Sequence, residues 1–130
     1  MKINRTNKPT DSELEILQVL WENGPSTVRF INDTLSTQRN VGYTTTLKLM
    51  QIMHDKGLLT RQKEGKTHIY KPAVPKEETQ GQLIDKLLNT AFEGSAMKLV
   101  MQTLGNRRST AEELQKIRDF IDNLEGGQDE

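Results

Sequence analysis

Tyr43-Thr44-Thr45-Thr46-Leu47-Lys48-Leu49-Met50-Gln51-Ile52-Met53-His54-Asp55-Lys56-Gly57 runs straight into Leu58-Leu59-Thr60-Arg61-Gln62-Lys63-Glu64-Gly65-Lys66-Thr67-His68-Ile69-Tyr70-Lys71. The first half reads as a helix that opens on small hydroxyls and closes at a glycine. Leu47, Met50 and Met53 form its apolar stripe, with Ile52 a further candidate. The second half reads as a short basic β-hairpin with a tight turn at Glu64-Gly65. A polar-headed helix followed at once by a cationic hairpin is the layout of a winged helix that reads DNA. The helix head enters the major groove and the hairpin lies along neighbouring phosphates.

Two more helices precede this unit. Thr10 and Glu13 have the spacing of a capping box. Leu14, Leu17, Leu20 and Trp21 follow at helical intervals, and Gly24-Pro25 stops the helix. Ser26 or Thr27 caps a second helix carrying Val28, Ile31 and Leu35. Ser36 to Gly42 is a polar connection. Lys71-Pro72-Ala73-Val74-Pro75 breaks the hairpin pattern and marks a boundary. The expected fold is mainly α with a small β-hairpin wing: a winged helix-turn-helix domain over residues 1–73 and a helical domain over 74–130.

The overall charge is zero, yet it is unevenly placed. Residues 1–75 hold 11 lysines and arginines against 7 acidic residues, a net of +4, and residues 76–130 hold the reverse, a net of −4. Between Arg39 and Lys71 seven basic residues face two acidic ones, a net of +5. That segment suits a polyanion. There is no cysteine, which excludes disulfides and thiolate metal sites. His54 and His68 have no carboxylate cluster beside them, so no metal and no cofactor is expected. No Ser/His/Asp set, phosphate-cradling glycine loop or paired acidic motif stands out, so an enzyme is not expected. No apolar run approaches the roughly 20 residues of a membrane span. Met1 to Pro9 is polar and basic, unlike a secretory signal. A soluble cytoplasmic protein is expected.

Beyond residue 75 the pattern is all helical. Leu83, Ile84, Leu87, Leu88, Ala91 and Phe92 stripe a helix beginning near Lys76. Gly94-Ser95 breaks it, and Ala96, Leu99, Val100 and Leu104 stripe a short helix ended by Gly105. Ser109-Thr110-Ala111-Glu112 reads as a second capping box that opens a last helix with Leu114, Ile117, Ile121 and Leu124 on one side, and residues 126–130 are expected to fray. These segments carry too much apolar stripe for isolated helices and too little chain for a core of their own. Packing against a second copy resolves this, so a homodimer with its interface in residues 76–125 is expected. Packing back onto the first domain is the alternative, which the Pro-bounded linker disfavours.

Four stretches together resemble a known family. Trp21-Glu22-Asn23-Gly24-Pro25-Ser26-Thr27-Val28-Arg29 resembles W-x-x-G-x-x-T-V-R, and Tyr43-Thr44-Thr45-Thr46 resembles the helix start Y-T-T-V. Lys56-Gly57-Leu58-Leu59 resembles K-G-L-L, and Gly65-Lys66 with Tyr70 and Pro72 resembles the wing G-R-x-x-x-Y-x-P. The family is that of the BlaI/MecI-type penicillinase repressors of bacteria, and the likeness runs from Pro9 to Leu124. It implies a cytoplasmic homodimeric repressor on a two-fold symmetric double-stranded operator, released when a membrane sensor triggers proteolysis of the dimerisation domain. A copper-sensing branch carries paired cysteines near its C-terminus, and this chain has none. In β-lactam-responsive members the cut falls between Asn and Phe in the fifth helix. Matching Leu99-Val100 to the family's L-V places Thr103-Leu104 at that bond.

Given this resemblance, Thr44, Thr45 and Thr46 exceed what helix capping requires, and at least one is expected at base edges or phosphates. Tyr43 bonds a phosphate or seals the core. Lys48, one turn on from Thr44, faces the backbone or a guanine. Arg61, Lys63 and Lys66 flank the wing turn and are expected at phosphates. Ser26 and Thr27 begin a helix whose N-terminus favours a phosphate. Arg39 reaches the backbone from the connection. The expected interface or its supporting core comprises Leu83, Ile84, Leu87, Leu88, Val100, Leu114, Ile117, Ile121 and Leu124. Two functions compete: a sequence-specific transcriptional repressor, and a winged-helix protein-interaction module without sequence-specific DNA readout.

Overall fold

A computed structural model of the chain describes residues 8–106 and 109–128. The N-terminal segment read above as no secretory signal lies largely outside the described residues, as do the last two residues of the expected frayed end. Six helices and one hairpin follow in the order α1 Asp11–Asn23, α2 Val28–Leu35, α3 Tyr43–Asp55, β1 Leu59–Glu64, β2 Thr67–Pro72, α4 Lys76–Ala91, α5 Ala96–Asn106 and α6 Ala111–Gln128. The architecture is mainly α with a two-stranded antiparallel wing, as the sequence predicts. Contacts divide the chain into a unit ending at Gly81 and one beginning at Gln82. The division falls inside α4, eight residues beyond the end expected for the first domain at residue 73.

The first unit is built from strong local signals. Thr10 caps α1 through a full box: its hydroxyl accepts from the Glu13 amide at 3.2 Å, and Glu13 Oε1 accepts from the Thr10 amide at 2.9 Å. Gly24, at φ +82, ends α1 in a conformation that side chains rarely adopt. Ile16, Leu17, Leu20, Ile31, Met50, Met53, Leu59 and Tyr70 form the buried centre, with Leu47, Leu49 and Val41 packed at its margin. α1, α2 and α3 pack on one another and on the hairpin.

The hairpin register is Leu59 opposite Pro72, Arg61 opposite Tyr70 and Glu64 opposite Thr67, which leaves Gly65 and Lys66 as the two-residue turn. The turn thus sits one residue later than Glu64-Gly65. Gly65, at φ +63, makes it possible without strain. Pro72 ends β2 at an edge, where its missing N–H costs no ladder bond. The expected linker is pinned: Ala73 N–H donates to the Leu58 carbonyl at 2.8 Å and Trp21 Nε1 donates to the Val74 carbonyl at 3.2 Å.

Glu13 goes beyond its capping role. It is only 2% exposed, and Lys56 Nζ reaches its two oxygens at 2.8 and 3.0 Å. This buried pair ties the start of α1 to the end of α3.

The second unit has a different character. Ser95 caps α5 through the Lys98 amide at 3.1 Å, and Thr110 caps α6 through the Glu113 amide at 2.9 Å. α5 runs one residue past Gly105, and α6 continues to Gln128, so residues 126–128 are helical rather than frayed. Eight large apolar side chains here are exposed by more than 40%: Ile84, Leu87, Met97, Val100, Met101, Phe120, Ile121 and Leu124. Among the described residues, α5 and α6 contain no buried side chain. No described helix is long and apolar enough to cross a membrane.

Candidate nucleic-acid interface

α3 presents its head to solvent because its core stripe lies elsewhere. Thr46, Met50 and Met53 share one face at intervals of four and three residues and are buried. Thr44, Thr45, Lys48 and Gln51 are exposed. Ile52, a candidate core residue from the sequence, is instead 42% exposed, because it lies two turns beyond Thr44 on the outward face.

Two expected DNA contacts are withdrawn from the outward surface. Thr46 is 1% exposed and its hydroxyl accepts from Asn32 Nδ2 at 2.9 Å. The stripe explains it: position 46 precedes Met50 by four residues and Met53 by seven. Ser26 is also buried. It bridges to β2 through paired bonds with Tyr70, N–H to O at 2.9 Å and O to H–N at 2.8 Å, and its hydroxyl donates to the Gly24 carbonyl at 2.8 Å. Thr27, and not Ser26, caps α2, accepting from the Phe30 amide at 3.1 Å.

Tyr43 is resolved as a surface residue, not a core seal. It is 39% exposed, and the Arg29 guanidinium carbon lies 4.6 Å from its ring centroid. That stack holds a cation over the first residue of α3. Arg29 was missed as a candidate, although an exposed arginine two residues after a helix cap is a phosphate-suited position. Arg39 is exposed but paired with Glu15 on α1, so it meets a phosphate only by releasing that carboxylate.

The wing carries its charge in three places. Arg61 and Lys63 sit on the strand face shared with Tyr70 and His68, by the register of the ladder. Lys66 stands in the turn, and Lys71 sits on the opposite face. All four are exposed. Tyr70 itself is buried, and its hydroxyl accepts from Arg61 Nη1 at a long 3.4 Å. β1 packs beside α3, so the cationic hairpin adjoins the hydroxyl-bearing helix. No group of His, Asp or Glu among the described residues is arranged to hold a metal ion.

A helix with an uncommitted polar face, flanked by a cationic two-stranded wing, defines a DNA-binding protein of the winged-helix class. The sequence profile of the penicillinase repressor family matches residues 9–123, and the chain belongs to that family. It is similar to the transcriptional regulator BlaI of Mycobacterium tuberculosis, 28% identical over 119 residues that cover 90% of this chain and 85% of that one. It is also similar to a penicillinase repressor of Bacillus licheniformis, 22% identical with 87% and 88% of the two chains covered. A solution structure of the DNA-binding domain of the repressor BlaI superposes with a TM-score of 0.51 at 25% identity, covering 59% of this chain and 90% of that domain. The chain is a DNA-binding transcriptional repressor of the winged-helix type.

Helix and wing are expected to divide the work. Thr45→Ala should change preference at particular base pairs, by roughly 1–3 kcal/mol where a base contact is lost. Lys66→Ala should weaken all duplexes alike and lower the salt slope by about 1. Competition binding with a panel of single-base-pair operator variants checks both. A base-selective Lys66→Ala beside a uniform Thr45→Ala would reverse the roles.

Proposed function

We propose that the chain is a cytoplasmic homodimer that binds a palindromic operator, reading bases with Thr44, Thr45 and Lys48 and gripping phosphates with Thr27, Tyr43, Arg29 and the wing residues Arg61, Lys63 and Lys66. The observation that carries the reading is the exposed, hydroxyl-rich head of α3 beside a hairpin whose basic side chains all face solvent. A second copy accounts for the large apolar side chains that the second unit leaves exposed. In that dimer Ile84, Leu87, Val100, Ile121 and Leu124 meet the partner, supported by the half-buried Leu83, Leu88, Leu114 and Ile117. Met97, Met101 and Phe120 join them. They are the most exposed apolar residues of the unit and were absent from the sequence-based set.

Footprinting of the purified protein on DNA upstream of its own gene tests the reading. A protected two-fold symmetric site is expected, with log K falling roughly 0.9 per neutralised phosphate against log salt. Absence of a footprint together with a flat salt dependence would favour the protein-interaction module.

Release follows cleavage in the second unit, in a pathway that starts at a membrane sensor. The Thr103–Leu104 bond lies within α5, where the Thr103 hydroxyl donates to the Leu99 carbonyl at 2.8 Å. α5 is 11 residues long, barely three turns, with Gly94 just before it and Gly105 near its end, so its local opening costs little. Mass spectrometry of the protein recovered from derepressed cells is expected to show a cut at that bond. An intact chain there would mean that release works by ligand binding.

A further inference from the structure

We propose that Asn32 and Thr46 are positioning residues for the recognition helix: their buried hydrogen bond sets where α3 begins, and base discrimination by Thr44 and Thr45 depends on it. The inference rests on the DNA-binding reading above and concerns two residues that touch no DNA in it.

α3 starts without a side-chain cap. Gly42 occupies the N-cap position in extended geometry, φ −75 and ψ 148, and has no side chain to offer. Its first turn therefore lacks the local lock that a hydroxyl or carboxylate usually gives. The lock comes instead from α2. Asn32 is 6% exposed, and its Nδ2 donates both to the Val41 carbonyl at 3.0 Å and to the Thr46 hydroxyl at 2.9 Å. The Thr46 amide donates to the Gly42 carbonyl at 3.1 Å, and its hydroxyl faces the same carbonyl at 3.4 Å. One buried amide thus joins three segments: α2, the end of the connection and the first turn of α3. Both of its hydrogens are committed, so removing the hydroxyl leaves one of them unpaired in the core. The site can relieve that only by shifting the residues around Gly42.

Such a shift acts on one property of the protein more than on others. Thr44 and Thr45 lie inside the turn that the network holds. Hydrogen bonds to base edges weaken over a few tenths of an ångström and with misdirection. Phosphate attraction depends on net charge and tolerates such movement. The wing is anchored separately, by Tyr70 and Ser26. Loss of the network should therefore cost specificity and leave general DNA affinity and its salt dependence in place.

The test uses the full chain, a duplex that the wild-type protein enriches from a random pool, and a scrambled duplex of equal length. Thr46→Val keeps the shape and removes the hydroxyl. Thr46→Ser keeps the hydroxyl. Thr46→Ala is read in the same way as valine, should the valine variant fail to fold by circular dichroism. Thr46→Val is expected to lower the ratio of selected to scrambled affinity roughly tenfold, about the effect of one mismatched base pair, while Thr46→Ser stays within about twofold of wild type. The salt slope on the scrambled duplex should match wild type for both. An unchanged ratio in Thr46→Val, an equal loss on both duplexes, or a Thr46→Ser loss as large as that of valine overturns the proposal and leaves DNA reading intact. A pool with no enriched duplex overturns the DNA reading and the proposal together.

Discussion

Ending the chain at Gly81 is expected to give a folded monomer whose operator affinity is lower by roughly 10²–10⁴. The fragment should fold because every buried apolar residue of the core lies between Ile16 and Tyr70. The clasp from Trp21 to the Val74 carbonyl is also retained. What is lost is the second unit, whose helices leave apolar side chains such as Phe120 at 62% and Met97 at 67% exposure. A monomer engages one half-site and forfeits the effective concentration that links the second. Sedimentation equilibrium and mobility shifts on full and half operators read the two effects. In the intact chain, Ile121→Asp with Leu124→Asp should reproduce both, since charges at a buried apolar contact are costly. A stable dimer of the fragment would place the interface in the first unit.

Lys56→Met is expected to destabilise the first unit by about 3 kcal/mol, near the lower end for breaking a buried pair. The Glu13 side chain is 3% exposed and loses its ammonium partner in a site closed to solvent once Lys56 is gone. Lys56 keeps 25% of its side chain in solvent, which places the loss at that lower end. Urea denaturation monitored by circular dichroism measures it. The double variant Glu13→Gln with Lys56→Met should recover much of the loss, because the amide keeps a Thr10 capping partner and no charge is buried. A single-variant loss below about 1 kcal/mol would mean that water replaces the ammonium group at Glu13.

The fold was legible because its signals are short-range. The Thr10 capping box, the glycines at 24 and 57, the core positions Met50 and Met53 of α3 and the glycine at the wing turn are each encoded within a few residues, and each stands where the sequence put it. The wing turn slipped by one residue because a two-residue loop is fixed by strand register, which depends on Leu59 and Tyr70 reaching the core. The candidate site was legible as a region and only partly residue by residue. Thr44, Thr45, Lys48 and the wing cations are exposed as their pattern suggested.

The three threonines mark where sequence reasoning stops. They are chemically alike and adjacent, so composition makes them equal candidates for a groove. Helical spacing sets Thr46 in line with Met50 and Met53, a signal that its hydroxyl masked beside those of Thr44 and Thr45. What makes a hydroxyl tolerable there is Asn32, fourteen residues earlier, and only the packing of α2 against α3 supplies it. Ser26 is buried by a partner forty-four residues away, and Glu13 by one forty-three away. The sequence by itself determined which segments are helix, turn and wing, and which half of the chain carries the positive charge, since caps, periods and charges are local. Tertiary structure alone decided which polar groups are spent inside the protein and which stay free for a partner. Burial and hydrogen-bond satisfaction are settled between segments, and no window of the chain contains both halves of those pairs.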